Sequence, residues 1–257
     1  MPKPISIPIP PSLLALSKPP KALFALGDIS LLDTLIKVAI IGTRRPNPYT
    51  KQFSSILATK IAKAGGVVVS GGALGVDIIA HSAALPRTIM ISPSSLDIIY
   101  PKANTAIIQS IIEQGLVLSE YEQNYMPKHY SFLERNRLVI GLSDIVIIPQ
   151  ADLQSGSMQS AQLSIQTHKP LFVLPHRIPE SLGTQHLLIN QQAQCIYDIE
   201  TFITQIFGSQ EEVYDEVLEF CKYTPSLEEA VQKFGEKIFQ YEIEGKIMRQ
   251  NGVIRIC

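Results

Sequence analysis

From Lys37 onward, short β-branched runs alternate with amphipathic stretches of helical length. The runs Val38 to Ile41, Val67 to Val69, Thr88 to Ile91, Leu116 to Leu118, Ile145 to Ile148 and Leu171 to Leu174 predict strands, and about five helical segments fit between them. Almost every position in these runs is apolar, so both faces of each strand must be covered. The pattern predicts an α/β fold with a mostly parallel sheet and helices on either side. Ligands on such sheets bind beyond the carboxyl ends of the strands.

The flanks read differently. Residues 1–36 mix prolines with short apolar stretches, Leu13, Leu14 and Leu16, then Leu23, Phe24 and Leu26, and predict a short N-terminal extension packed on the core. After Gly208 the rhythm becomes three helices, Glu211 to Tyr223, Ser226 to Phe234 and Glu236 to Glu244, and then a hairpin around Asn251-Gly252. Asn-Gly is a strong type I′ turn signal. The expected organisation is therefore an extension over 1–36, an α/β core over 37–208 and a small winged-helix-like module over 209–257.

A chain of 257 residues with 46% hydrophobic and 18% charged positions can bury a sizeable core. Its 22 basic and 23 acidic side chains leave a net charge of −1, which excludes a chain-wide basic field. The charge is unevenly placed: residues 1–210 hold 16 basic and 13 acidic groups, about +3, and residues 211–257 hold 6 and 10, about −4. Any polyanion site must be local and belongs to the larger part.

Cys195, Cys221 and Cys257 are widely spaced and odd in number, which fits neither a disulfide framework nor a zinc cage. A reducing, cytoplasmic setting is expected. No apolar run reaches the ~18 residues of a membrane span. Pro8, Pro10, Pro11, Pro19 and Pro20 break the start as a signal sequence.

The candidate chemistry gathers at strand ends. The first core strand runs into Gly42-Thr43-Arg44-Arg45, where a glycine lets amides approach an anion and two arginines supply forked donors. The other reading is a tight turn with solvated arginines. The second ends in Ser70-Gly71-Gly72-Ala73-Leu74-Gly75-Val76-Asp77 and enters a helix, a second cradle for an anion. Neither stretch is the dinucleotide fingerprint or a nucleotide-triphosphate loop. Asp77 and His81, four apart, are read as a structural hydrogen-bonded pair.

The segment from Tyr125 to Arg137 carries most information. Ser131 and Glu134 read as a capping box, which starts a helix between them with Phe132 in its first turn. An aromatic ring there, among Lys128, His129, Arg135, Asn136 and Arg137, can stack on a base while the cations hold phosphates. The alternative is that Phe132 packs inward and Arg135 pairs with a carboxylate. Ser155-Gly156-Ser157 offers a third turn of amides and hydroxyls, which also reads as a simple helix cap.

Gly42-Thr43-Arg44, Ser70-Gly71-Gly72-Ala73-x-Gly75-x-Asp77-x-x-x-His81, Tyr100-Pro101, Ser119-Glu120, Phe132-x-x-Arg135-Asn136-Arg137 and Ser155-Gly156-Ser157 occur in this order. From about Leu23 to Ala193 the chain resembles the DNA-processing protein A family, DprA/Smf. The resemblance implies an extended Rossmann-like fold that forms a homodimer and binds single-stranded DNA during natural transformation. It further implies loading of the RecA recombinase onto that strand, with no catalysis and no cofactor. By position, Gly42, Thr43, Arg44, Ser70, Gly71 and Gly72 would hold backbone phosphate and Phe132 would stack on a base, with Arg45, Ala73 and the Ser155 turn beside them.

Four positions depart from the family's usual residues. His129 stands where a basic residue precedes the phenylalanine by three, with Lys128 beside it. Gln150, Gln185 and Gln192 replace a carboxylate, an asparagine and a glycine. The rival class is an enzyme of the related fold that cleaves a base from a nucleoside monophosphate. Its Pro-Gly-Gly-x-Gly-Thr-x-x-Glu motif is absent here. A nicotinamide oxidoreductase is opposed by the missing fingerprint. The acidic C-terminal module suits a protein contact better than DNA.

Overall fold

The computed structural model describes residues 3–208, 215–250 and 252–256. It divides into two compact units, Met1–Gly208 and Ser209–Cys257. The first begins with β1 (Ile5–Ser6), α1 (Pro11–Leu14), β2 (Phe24–Gly27), β3 (Lys37–Ile40), α2 (Pro48–Lys63), β4 (Val67–Ser70), α3 (Val76–Ala84) and β5 (Thr88–Ile91). It continues through α4 (Thr105–Gln114), β6 (Leu116–Ser119), α5 (His129–Leu142), β7 (Ile145–Ile148), α6 (Gly156–Gln166), β8 (Leu171–Val173), α7 (Leu182–Ile189), β9 (Gln194–Cys195) and α8 (Ile199–Phe207).

All nine strands form one sheet in the order β1-β2-β6-β5-β4-β3-β7-β8-β9. From β6 to β9 every pairing is parallel. The fold is α/β and Rossmann-like. Alternate residues of the central strands enter two different cores. Ala39, Val67, Val69, Ile89, Ile91, Val146 and Ile148 pack with α5 and α6 residues on one face. Val38, Ile40, Val68, Ile145 and Ile147 pack with Leu57, Ile61, Ala80 and Phe202 on the other. This double burial is why the strands read as continuous apolar runs.

The N-terminal stretch does more than pack on the core. Its β2 pairs antiparallel with β6, from Phe24 opposite Ser119 to Gly27 opposite Leu116, and β1 adds to β2. Without it, the row of unpaired amides and carbonyls along β6 would form a sheet edge. Leu13 and Leu23 are fully buried in the same unit. None of β1, β2 and β9 is legible in the sequence: β1 and β9 have two residues each, and β2, Phe24-Ala25-Leu26-Gly27, contains no β-branched residue and ends in glycine.

Strand β3 is the switch point: β4 lies on one side of it and β7 on the other. The crevice that opens there faces the loops after β3, β4 and β7.

The second unit comprises α9 (Glu216–Cys221), α10 (Leu227–Phe234), α11 (Lys237–Ile243), β10 (Ile247–Gln250) and β11 (Val253–Ile256). Val217, Cys221, Ala230, Ile238, Ile247 and Ile254 form its core. Ser226 caps α10, accepting from Glu229 N at 3.2 Å while Glu229 Oε2 accepts from Ser226 N at 2.8 Å. Gln250 opposite Val253 leaves a two-residue connection between β10 and β11. Gly252 in that connection has φ of 80°. Asn251 of the expected turn, residues 211–214 of the expected first helix and Cys257 lie outside the described residues.

Candidate nucleic-acid interface

The loop after β3 is braced from both sides. Thr43 N donates to Gln150 O at 3.0 Å, and Thr43 O accepts from Val76 N at 3.2 Å. Gly75, at φ of 84°, lets the two loops meet, since a β-carbon there would run into Thr43 O. Gln150 Oε1 accepts from Asn47 N at 3.1 Å, and Gln150 Nε2 donates to Glu180 O at 3.3 Å. An amide thus does structural work at this departure from the family pattern, since it donates and accepts at once. Arg44 and Arg45 project outward, exposed, and neither joins an ion pair among the described residues.

The second glycine loop is turned more inward. Ser70, Gly71 and Gly72 are buried. Ser70 Oγ donates to Ile40 O at 2.6 Å, Gly71 N donates to Asp77 Oδ2 at 3.2 Å, and Gly72 O accepts from Asn104 Nδ2 at 3.0 Å. These groups brace the cradle; Ala73 lines the crevice, and Gly71, Ala73 and Leu74 line a small hollow with Arg44, Tyr100 and Phe132.

Asp77 and His81 do not bond to each other. His81 Nδ1 lies 2.7 Å from Thr88 Oγ1, which donates to Val68 O at 3.0 Å, so the ring is the donor. Burial, helped by the Arg135 charge, pulls His81 down to about 3. Burial raises Asp77, against the Arg135 charge and the nearby amides of Gly42, Ala73 and Gly71. Full desolvation decides both directions.

Helix α5 starts earlier than the sequence predicts. Lys128 is its N-cap, and Ser131 is the third helical residue. Ser131 Oγ accepts from Lys128 N at 2.9 Å and sits 2.7 Å from Lys128 O. The serine fills the reaching-back role expected of Glu134, because its short side chain bonds to nearby backbone. Glu134 instead accepts from the Tyr121 hydroxyl at 3.2 Å.

The residues of this helix differ in burial and in partners. Phe132 is half-buried; its ring lies 5.5 Å from that of Tyr100, and the Arg44 guanidinium stands 5.8 Å from its centroid. His129 and Leu133 share its face of the helix and line the same groove. Arg135, three residues on and so close to Phe132 around the axis, is 4% exposed and turns its guanidinium into the protein. Its Nη1 donates to Gly71 O and, at 2.6 Å, to Ile91 O, and its Nε donates to Asn136 Oδ1 at 3.2 Å. Burial lowers Arg135 to about 10, opposed by Asp77.

Arg137 grips Glu120 with both Nη atoms, at 2.7 and 2.6 Å, and donates to Lys18 O at 2.8 Å. Two of the cations read from the sequence as phosphate contacts are therefore engaged with the protein itself. Arg137 is thus paired with a carboxylate, whereas Arg135, which one reading paired with a carboxylate, bonds to carbonyls and meets Asp77 through its charge.

Ser155 caps α6, accepting from Met158 N at 3.3 Å and donating to Asp152 O at 2.7 Å. Ser157 is buried, and Gly156 is exposed at the rim. Between α5, α6 and Arg44 opens a groove of about 780 Å³, lined further by Tyr100, Gln159, Gln162 and His186. Beneath it a hollow of about 210 Å³ is walled by Gly42, Thr43, Ala73, Asn136 and Ser157. Sequence reasoning missed Gln159, Gln162 and His186, which carry no motif and arrive on the second turn of α6 and on α7. Tyr100 was visible in a motif but without a role. Lys128 does not line the groove, whereas His129 does. Among the described residues no cluster of His, Cys, Asp or Glu is arranged to hold a metal.

The family model for DNA recombination-mediator protein A matches residues 6–207, which is nearly the whole first unit. The chain belongs to this family. The match takes in α1 and α8, and so runs further at both ends than the stretch from Leu23 to Ala193 in which the resemblance is read. DNA processing protein DprA of Bacillus subtilis is 33% identical over 198 residues, which are 76% of this chain and 67% of that protein. Protein Smf of Escherichia coli is 33% identical over 206 residues, 77% of this chain, and only 54% of that relative is covered.

Among solved structures, DNA processing protein A from Helicobacter pylori is 58% identical and superposes with a TM-score of 0.79, covering 79% of this chain and 95% of that one. That structure concerns the single-stranded DNA binding mode of the H. pylori protein. DprA from Streptococcus pneumoniae is 31% identical with a TM-score of 0.71, covering 77% and 70%. Among the described residues no helix is long and apolar enough to cross a membrane.

Proposed function

We propose that the first unit binds single-stranded DNA along the groove between α5 and α6, as a non-catalytic step of DNA recombination. The observation that carries this reading is the half-buried Phe132 ring set between Tyr100 and the unpaired Arg44, at the switch point of the sheet. A base stacks on the ring and the neighbouring phosphates take Arg44, Arg45 and the exposed amide of Gly156. The single carboxylate lining either hollow is Asp77, buried behind Gly71. That lining offers no pair of carboxylates to cleave a base from its sugar, and His129 and His186 in the groove can donate to phosphate oxygens. The relationship to the H. pylori protein supports the same ligand.

Duplex DNA hides its base faces, so stacking selects unpaired strands. In this reading a strand arriving by natural transformation is held here and passed to the RecA recombinase in the cytoplasm. A homodimer presents two grooves to one strand and adds avidity without new contacts. Fluorescence anisotropy of labelled oligo-dT and of its duplex, at two salt concentrations, tests the proposal. Single strands should bind tighter, with affinity falling as salt rises; equal binding of both forms, or none, overturns it.

A further inference from the structure

Outside the groove, four residues make a second aromatic and cationic cluster to which the reading above assigns nothing. The rings of Tyr121 and Tyr125 are stacked face to face, 3.9 Å apart and 1° from parallel. Lys128 Nζ stands 5.8 Å over the Tyr125 ring and 5.8 Å over that of Tyr130. The Tyr125 hydroxyl meets that of Tyr130 at 3.4 Å. Tyr130 is 49% exposed, Lys128 is exposed, and Lys128 has no ion-pair partner among the described residues.

Position on the helix separates this cluster from the groove. Tyr130 and Phe132 are two residues apart on α5, so they leave it about 200° apart around the axis. His129, between them, lines the groove, and Lys128 leans to the tyrosine side. The first turn of α5 thus carries an aromatic ring on each flank and a basic side chain beside each ring. Of the carboxylates that act on the tyrosines, Glu134 is bonded to the Tyr121 hydroxyl and Glu120 is held by Arg137. A core explanation does not account for Tyr130, since an inward-packing ring would not leave half its surface in water.

We infer that Tyr125, Lys128 and Tyr130 form a second contact for single-stranded nucleic acid, taking the stretch of strand that leaves the groove around the first turn of α5. The inference rests on the groove reading and extends it. A base stacks on the exposed Tyr130 ring and the adjoining phosphate takes Lys128. Stacking of this kind is tolerant of sequence, because every base has a π-face. The cluster therefore lengthens the bound segment without reading it.

Strand length separates the two sites. The full chain is titrated with labelled oligo-dT of about 5 nucleotides, enough for the groove, and of about 20, enough to pass beyond it. Tyr130→Ala should leave the short strand unchanged and weaken the long one roughly tenfold. Tyr130→Phe should bind both as the parent does. Lys128→Ala should lower the salt slope for the long strand by about one.

Phe132→Ala should weaken both lengths, and failure of that control would remove the groove reading itself. If Phe132→Ala behaves as stated but Tyr130→Ala binds the long strand like the parent, or weakens both lengths equally, the inference falls alone. An unchanged melting temperature of Tyr130→Ala, expected for a half-exposed ring, keeps a folding defect from imitating the result.

Discussion

Four arginines near the sheet's carboxyl edge differ in where their charge goes. Arg44 and Arg45 face water unpaired, Arg135 is enclosed by the carbonyls of Gly71 and Ile91, and Arg137 is held by Glu120. Only the first two are free to replace counterions on a phosphate backbone. Arg44→Ala should therefore flatten the dependence of affinity on salt by about one ion, and leave stability unchanged. Phe132→Ala should cost about 1–3 kcal/mol of binding for each stacked base, with the salt slope kept. Anisotropy across a salt series reads both, and unchanged affinity in the two variants would remove them from the site.

The loops act as a set because each is bonded to its neighbours. Thr43 joins the loop after β7 to the start of α3, and Arg135 reaches under Gly71 to Ile91 at the end of β5. Gly71 has no room for a side chain, since a β-carbon there would strike the Arg135 guanidinium. Gly71→Ala should displace that guanidinium from its carbonyls and lower stability by roughly 1.5–3 kcal/mol, the worth of hydrogen bonds to a charged group. Urea unfolding measures it, and a midpoint equal to the parent's would show that Arg135 is not holding the loop. The central strands were legible because both faces are buried. The start of α5 was displaced because Ser131 and Glu134 satisfy two capping patterns, and the choice between them depends on Tyr121, which draws Glu134 away.

The molecule places its charge in two parts. The first unit, which contains the groove, belongs to the part with a basic excess, and the part after residue 210 is about −4. An acidic module repels a polyanion, so the second unit fits a protein contact despite its winged-helix-like order of helices and hairpin. A chain ending at Gly208 should keep its affinity for oligo-dT. A large loss in that variant, or tight duplex binding by the remaining module, would assign DNA to the second unit instead.

Local periodicity and short motifs were enough to establish the parallel α/β core, the loops that face its carboxyl edge, Phe132 as the stacking candidate and the family. These features depend on residues close in sequence, whose spacing records how each element is buried. Which polar groups remain free depended on distant partners. Arg135 and Arg137 sit in one motif with Phe132, yet Gly71, Ile91 and Glu120 claim them from 64, 44 and 17 residues away. The strands β1 and β2 likewise exist because β6 has an edge to be covered, and Tyr130 faces outward because α5 turns by 100° per residue. Side-chain charge is a local property of the sequence; its availability to a ligand is set by what the fold brings beside it.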